Sequence, residues 1–446
     1  MKKSTKMLTL LMAMVLSMGS LAACGGSKDE STTGGDSTTT TDAAATDAAA
    51  SQETKNVKLT VWAPQEESKD YSKIDAKYGK NLLEYMCEQF DEAHPEWEID
   101  FEYKVCSEAD AYTELSKDAS IGGDVFMYAG DQTASLVQEG IVLPLTGMDE
   151  VAANNGEKAI AAASVDGMNY GVPFTPNTWF MYYDKSKYSE EDIKSLDTMM
   201  AKDLEGCEYN FAMDLDNGWY NAGFFYANGC TVFGADGTKE DECNFNDANG
   251  LAAAEAMLNL ATSKKFLVDD DNKVALSNMK KGNCAALCSG TWDAGAVKEA
   301  LGDNYAAAKL PTIKMGGKDV QLNSIGDYKY IGVNKNTDNP DVAQALAIWL
   351  GSEQCQLDRF LTRGVSPTWA TLASNEQVAA DVATTALAEQ NQFTAVTPVS
   401  KKFTTNFWSA MEALGVGMAN KTVTKDNLQA ELDKLSENIT TEVAGK

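Results

Sequence analysis

The stretch Gly122-Gly123-Asp124-Val125-Phe126-Met127-Tyr128-Ala129-Gly130-Asp131 decides the fold. Its apolar run is short and bounded by turn residues, so it reads as a buried strand rather than a helix. A helix starts near Asp131, and a short helix over 109–119 precedes the run. Upstream, Trp97, Ile99, Phe101, Tyr103 and Val105 alternate with Glu98, Asp100, Glu102 and Lys104. That period of two marks a half-buried strand. Earlier still, a strand over 57–62 is followed by a helix over 74–93. Tyr78, Leu82, Tyr85, Met86 and Phe90 form the helix's apolar face, and His94-Pro95 stops it. Strand–helix alternation of this kind predicts an α/β lobe on a mainly parallel sheet.

The style continues downstream. A strand covers 180–183, and a helix over 249–264 turns Leu251, Ala254, Met257 and Leu258 inward. Asn339 as N-cap and Pro340 at the first helical position open a helix running past Leu361. Thr424 caps the last helix, whose Leu428, Leu432, Leu435 and Ile439 share one face. From Val57 to Lys446 the body is too long for one ordinary core, which predicts two lobes. A formal charge of -29 argues against nucleic acid, and against charge-driven adhesion to anionic lipid.

The usual tools of catalysis are missing from the sequence. The one histidine, His94, sits at a helix stop, which disfavours a His-dependent triad. Neither an HExxH zinc motif nor a GxxxxGK[ST] phosphate loop occurs. Asp214-Leu215-Asp216-Asn217-Gly218 fails as a calcium loop, because its glycine is fifth rather than sixth and Phe225 stands twelfth. Asp269-Asp270-Asp271 reads as a solvated turn. No metal and no cofactor are expected. Composition alone leaves a two-carboxylate glycosidase open, although no acid pair stands in a recognisable frame. Cys87, Cys106, Cys207, Cys230, Cys243, Cys284, Cys288 and Cys355 are scattered. They read as small buried hydrophobes, with disulfides as the alternative. Cys284 and Cys288 fall on one face of a strand if period two holds.

The N-terminus carries a different message. Lys2, Lys3 and Lys6 precede an apolar run from Met7 to Leu16 that is too short to span a bilayer and fits a signal peptide. Leu21-Ala22-Ala23-Cys24 resembles the lipobox of bacterial lipoproteins. The expected leader is 1–23, with a lipid on Cys24 anchoring the protein to the outer face of the cytoplasmic membrane, as in Gram-positive bacteria. Residues 25–56 contain no aromatic side chain and cannot build a core. They form a linker with a reach of roughly 30 Å.

Aromatics beside turn residues suggest a binding surface. Trp219 follows Asn217-Gly218, and Trp292 follows Ser289-Gly290-Thr291. Trp408 lies at the edge of a helical stripe of Phe403, Phe407, Met411 and Leu414. Flat rings suit the C–H faces of sugars, and carboxylates and carboxamides suit sugar hydroxyls.

Taken in order, several segments resemble extracellular solute-binding proteins of ABC transporters, of the maltose/maltodextrin-binding type. They are Val57-Lys58-Leu59-Thr60-Val61-Trp62, Gly123 to Asp131, Gly171-Val172-Pro173-Phe174 and Tyr182-Tyr183-Asp184-Lys185. Tyr226-Ala227-Asn228-Gly229, Gly290-Thr291-Trp292, and Pro398 with Phe407-Trp408 complete the set. The resemblance implies a two-lobed periplasmic-binding-protein-like fold with hinge-crossing segments and a ligand cleft. It places crossings near Thr175, Gln321 and Gly364, giving 57–175 with 322–363 as one lobe and 176–321 with 364–446 as the other. It implies that Tyr128, Trp219, Trp292 and Trp408 stack on glucose rings and that Asp131 binds hydroxyls, unless Asp131 caps the next helix. Asn177 and Asn217 stand where the family often has acids. Glu66 and Glu67 share the loop after the first strand; Glu66 is carried as a candidate, and the sequence does not choose between them. The partners implied are an oligosaccharide, a membrane permease and, through Cys24, the membrane itself, with the protein a non-catalytic monomer. The alternatives are a β-linked oligosaccharide on the same scaffold and a surface-anchored glycoside hydrolase.

Overall fold

The computed structural model describes residues 54–269, 273–398 and 400–442. The lipobox with Cys24, the leader, nearly all of the linker, and Asp270 and Asp271 lie outside the described residues. The principal strands of the first half are β1 (Lys55–Ala63), β2 (Trp97–Val105), β3 (Val125–Ala129), β4 (Val172–Asn177) and β5 (Phe180–Asp184). The second half adds β6 (Phe211–Met213), β7 (Phe266–Val268), β8 (Ala286–Ser289), β9 (Tyr305–Ala308) and β10 (Asp327–Val333). They form two five-stranded sheets, ordered β2-β1-β3-β10-β4 and β9-β5-β8-β6-β7.

Each sheet is the floor of one lobe, so the molecule has two. Both sheets are mixed rather than mainly parallel. β1 runs parallel to β2 and β3, whereas β10 runs against β3 and β4. In the second sheet β5 opposes β8 and β9, while β6 runs with β7 and β8. The antiparallel members include the strands that carry the chain between lobes: β4 leads through Thr178 and Trp179 into β5, and Gly326 leads into β10. Thr178 Oγ1 donates to Ile325 O (2.6 Å), tying these two passages together. Beyond Gly364 the chain still holds to the first lobe. Trp369 bridges Asn155, and the backbone N–H groups of Thr368 and Trp369 both donate to Gln356 Oε1.

The helices follow the periodicities with local departures. The first, α1 (Leu82–Ala93), starts later than 74 because the Asn81 side chain accepts from Glu84 N (2.8 Å) and caps it there. His94 ends it as expected, at the C-cap, with Nδ1 3.0 Å from Glu96 Oε1. Thr133–Gln138 forms α2, and Gly218–Ala227 forms α3. The long helix expected from Asn339 is two, α4 (Pro340–Leu350) and α5 (Glu353–Arg363). Gly351 breaks it, and Ser352 caps the second through Cys355 N. Then come α6 (Val382–Gln390), α7 (Trp408–Ala419) and α8 (Leu428–Thr440). Asn427, not Thr424, stands at the N-cap of α8; its side chain instead accepts from Thr424 N (2.7 Å).

Asp269 is buried, not solvated: its carboxylate accepts from the backbone N–H groups of Val274 and Ala275. The eight cysteines outside the leader region are free thiols, six of them buried. Cys284 and Cys288 pack in different apolar clusters, because the regular strand begins only at Ala286. Among the described residues no helix is long and apolar enough to cross a membrane.

Candidate functional site

The first lobe contributes a polar wall from the ends of β3, β4 and β10. Asp327 and Lys329 stand two apart on β10 and so share a face. In register, Asp327 faces Asn177, and Lys329 faces Thr175 and Ala129. The chain turns after β3 at Gly130, where a Cβ would meet Asp327 Oδ1 at 2.2 Å. Only glycine lets the turn come that close. Asp131 N then donates to Asp327 Oδ2 (3.3 Å). Both carboxyls are pushed well above the usual carboxylate range. Burial is the main cause for each, and the neighbouring Asp327 charge adds to it for Asp131. Asn177 is buried and hydrogen-bonds Asp327, which works in the opposite direction.

A second polar group lies at the inner end of this wall. Glu67 is fully buried; Arg359 Nε donates to its Oε1 (2.8 Å), and Arg363 Nη1 bonds the same oxygen. Glu108 Oε1 stands 3.2 Å from Lys329 Nζ. Burial works against ionising Glu108, but Lys329 and Arg363 outweigh it and hold its carboxyl below the usual value.

The second lobe contributes rings. Asn217 caps α3 by accepting from Trp219 N (2.9 Å), and its amide donates to Asp214 Oδ2 (3.1 Å). Gly218 lets α3 settle on α7, since a Cβ there would lie 2.7 Å from Trp408 O. Trp292 follows β8 in a turn pinned by Ser289 Oγ donating to Asp293 Oδ2 (2.6 Å). Its ring lies 5.7 Å from that of Trp219. Trp408 opens α7 after a wide π-helical turn, Phe403–Phe407, in which those two phenylalanines stack at 4.4 Å. All three tryptophans are half-buried.

The walls meet. Trp408 Nε1 donates to Asp131 Oδ2 (3.1 Å), Lys401 pairs with Glu139 (3.2 Å), and Lys329 Nζ lies 5.7 Å from the centre of the Trp292 ring. The lobes are therefore in contact, and the space left at the inner end of the cleft is about 10 Å³. A larger cavity, about 870 Å³, lies elsewhere, beside α4 and α5. Its tryptophans are committed to the fold: Trp349 Nε1 donates to Met86 O, and Trp369 is buried.

The expected site residues divide accordingly. Asp131, Asn177, Trp219, Trp292 and Trp408 come together at the cleft. Asp131 does not cap the next helix, whose N-cap position is Gln132. Asn217 is exposed and acts as a cap. Tyr128 requires correction. It is fully buried, with its ring between Phe126 (5.7 Å) and Tyr330 (5.6 Å) and its hydroxyl donating to Tyr170 O. Such a ring has no free face for a sugar. Of the two loop acids, Glu67 is the one turned inward, while Glu66 is half-exposed and paired with Lys69 at 3.7 Å. Glu108, Asp327, Lys329 and Arg363 escaped the sequence reading. The available signal was two charges, Asp327 and Lys329, inside the aromatic strand run that ends Tyr330-Ile331.

Residues 85–386 match the family described as "Bacterial extracellular solute-binding protein", a span of more than half the chain. The chain belongs to that family. A Bacillus subtilis relative of this solute-binding chain, a galactooligosaccharide-binding protein, is 25% identical over 393 residues, covering 83% of this chain and 87% of its own. The maltodextrin-binding protein MdxE of the same organism is 26% identical over 205 residues, 43% of this chain and 48% of its own. Among solved structures, one determined with acarbose is 36% identical, with a TM-score of 0.79, covering 86% of this chain and 98% of that one. The maltodextrin-binding protein MalE1 from L. casei BL23, solved without ligand, is 25% identical with a TM-score of 0.73, covering 86% and 99%.

Proposed function

We propose that this solute-binding protein captures an oligosaccharide, a maltodextrin fragment, between its lobes and delivers it to an ABC permease without altering it. The observation that carries this reading is the wall of three half-buried tryptophans facing a wall of carboxylates. Ring faces take the apolar sides of sugar rings, and acids and amides take their hydroxyls. Chain passages at 178–179, at Gly326 and between 375 and 381 act as the hinge. Contact with both lobes stabilises the closed form, because only differential affinity shifts such an equilibrium. The similarity to a maltodextrin-binding protein and to a structure holding acarbose supports an α-glucan. A galactooligosaccharide is the second reading, favoured by the relative that matches over most of both chains.

Cys24 carries a lipid that holds the protein at the outer membrane face, and the linker decouples that anchor from the fold. The Cys24→Ser variant is expected to leave the membrane fraction with its sugar affinity intact; equal retention would refute the anchor. For the function, the lipid-free protein is titrated by calorimetry with maltotriose, maltotetraose and a β-galactotrisaccharide. Saturable binding of a maltooligosaccharide, with the sugar recovered unchanged, is expected. Tighter binding of the galactoside would replace the α-glucan, and steady release of shorter sugars would replace the receptor with a hydrolase.

A further inference from the structure

We propose that Glu108, Lys329 and Arg363 form a hydroxyl-binding subsite that grips two neighbouring hydroxyls of the sugar ring lying on Trp292. The proposal rests on the oligosaccharide reading above and names groups at the inner end of the cleft.

The first observation is unused hydrogen-bonding capacity. Glu108 Oε1 has an ion-pair partner in Lys329 but no donor aligned for a hydrogen bond, and Arg363 Nε has no acceptor. The side chains of Glu108 and Arg363 are only 6% and 5% exposed. Unmet buried polar groups cost stability, so such groups await water or a ligand. The second observation is that these side chains line one small closed space together with Trp292. That space is no larger than a water molecule needs.

The third observation is how the space is divided between lobes. Glu108 and Lys329 belong to the first lobe, Arg363 ends α5 beside the hinge, and Trp292 belongs to the second lobe. Opening the hinge therefore widens this space and frees the Trp292 ring. In the closed molecule Lys329 Nζ sits over that ring. A sugar's C–H face would take its place there, while the ammonium group stays beside Glu108.

The chemistry then fits a neutral diol. The ammonium group donates to one hydroxyl oxygen, the Glu108 carboxylate accepts from the next hydroxyl, and Arg363 Nε–H donates to that hydroxyl's free lone pair. Glu108 is paired with Lys329, and the single carboxylate of Glu67 is shared by Arg359 and Arg363.

The test is calorimetric titration of the full chain in detergent with maltotriose and with the set of monodeoxy maltotrioses. Parent, Lys329→Met, Glu108→Gln and the double variant are compared, with a melting curve for each. The double variant removes both charges at once and so keeps the fold if either single change harms it. We expect each variant to bind maltotriose at least tenfold more weakly. We also expect two deoxy analogues, lacking adjacent hydroxyls, to bind the parent at least tenfold more weakly, one with no further loss in Lys329→Met and the other with none in Glu108→Gln. Equal losses for maltotriose and every analogue would mean that the pair acts only on closure, and would overturn the subsite. Unchanged affinity for maltotriose would overturn it as well. If the parent binds no maltotriose, the α-glucan reading falls first and the subsite falls with it.

Discussion

The first lobe faces the cleft with charge, in Asp131, Asp327, Glu108 and Lys329, whereas the second faces it with the rings of Trp219, Trp292 and Trp408. If sugar lies in the cleft as proposed, the difference teaches how the work of binding would be divided. Rings would supply apolar contact that is tolerant of position, and carboxylates would supply direction on closure. Closure is also where they become expensive, because the half-buried Asp131 and Asp327 lie side by side where desolvation works against both charges. A buried carboxylate without enough donors disfavours the closed form. Sugar hydroxyls would donate to these acids and offset that cost, so ligand and closure favour each other.

The contrast between core and cleft aromatics gives the largest expected effect. Tyr128→Ala should cost about 3–5 kcal/mol of folding stability, as large-to-small changes of buried aromatics do. Denaturant unfolding measures it. Trp292→Ala and Trp408→Ala should instead spare folding and weaken sugar binding by roughly 1–3 kcal/mol each, or about one to two decades. A smaller loss is expected for Trp219→Ala, because Tyr220 lies beside it at 5.4 Å. A Trp292→Ala protein that melts far below the parent but binds as before would erase the distinction between the two groups of rings.

A further expected effect concerns the acid pair. In the folded protein desolvation pushes these carboxyls up to about 7 and about 6, from the ordinary 3.8. The native state therefore holds protons that the unfolded chain has already released. Stability should fall as pH rises from about 4 to about 7 and level off above. The two values belong to the pair rather than to either residue. Asp131→Asn keeps an acceptor for Trp408 and should flatten that slope. Melting temperatures from pH 5 to pH 8 check this, and a parent that melts higher at pH 7.5 than at pH 5.5 would contradict it.

Much of this molecule could be read from its residues, and the gaps have physical causes. Alternation at Trp97 to Val105 and the apolar run at Val125 to Tyr128 located strands, because burial imposes those periods locally. Strand direction was not legible: β10 runs against β3 because the chain has returned from the other lobe, which is a long-range fact. Helix starts shifted where one side chain decided, as Asn81 and Ser352 did. The tryptophans of the candidate site could be found, since Trp219 and Trp292 follow turn residues and Trp408 sits at the edge of a helical stripe. Tyr128 misled because a strand's last residues share one apolar signature whether they face a core or a cleft. Arg363 meets Glu67 across a separation of 296 residues, and no spacing announces that contact.

The central claim is that sugar lies between the ring wall and the charged wall. Calorimetric titration of maltotetraose into the lipid-free parent and into a Trp292→Ala/Trp408→Ala variant tests it most directly. The account predicts one site per parent molecule, and at least a hundredfold weaker binding in the variant at an unchanged melting temperature. Equal affinity in both proteins would place the sugar elsewhere and contradict the account.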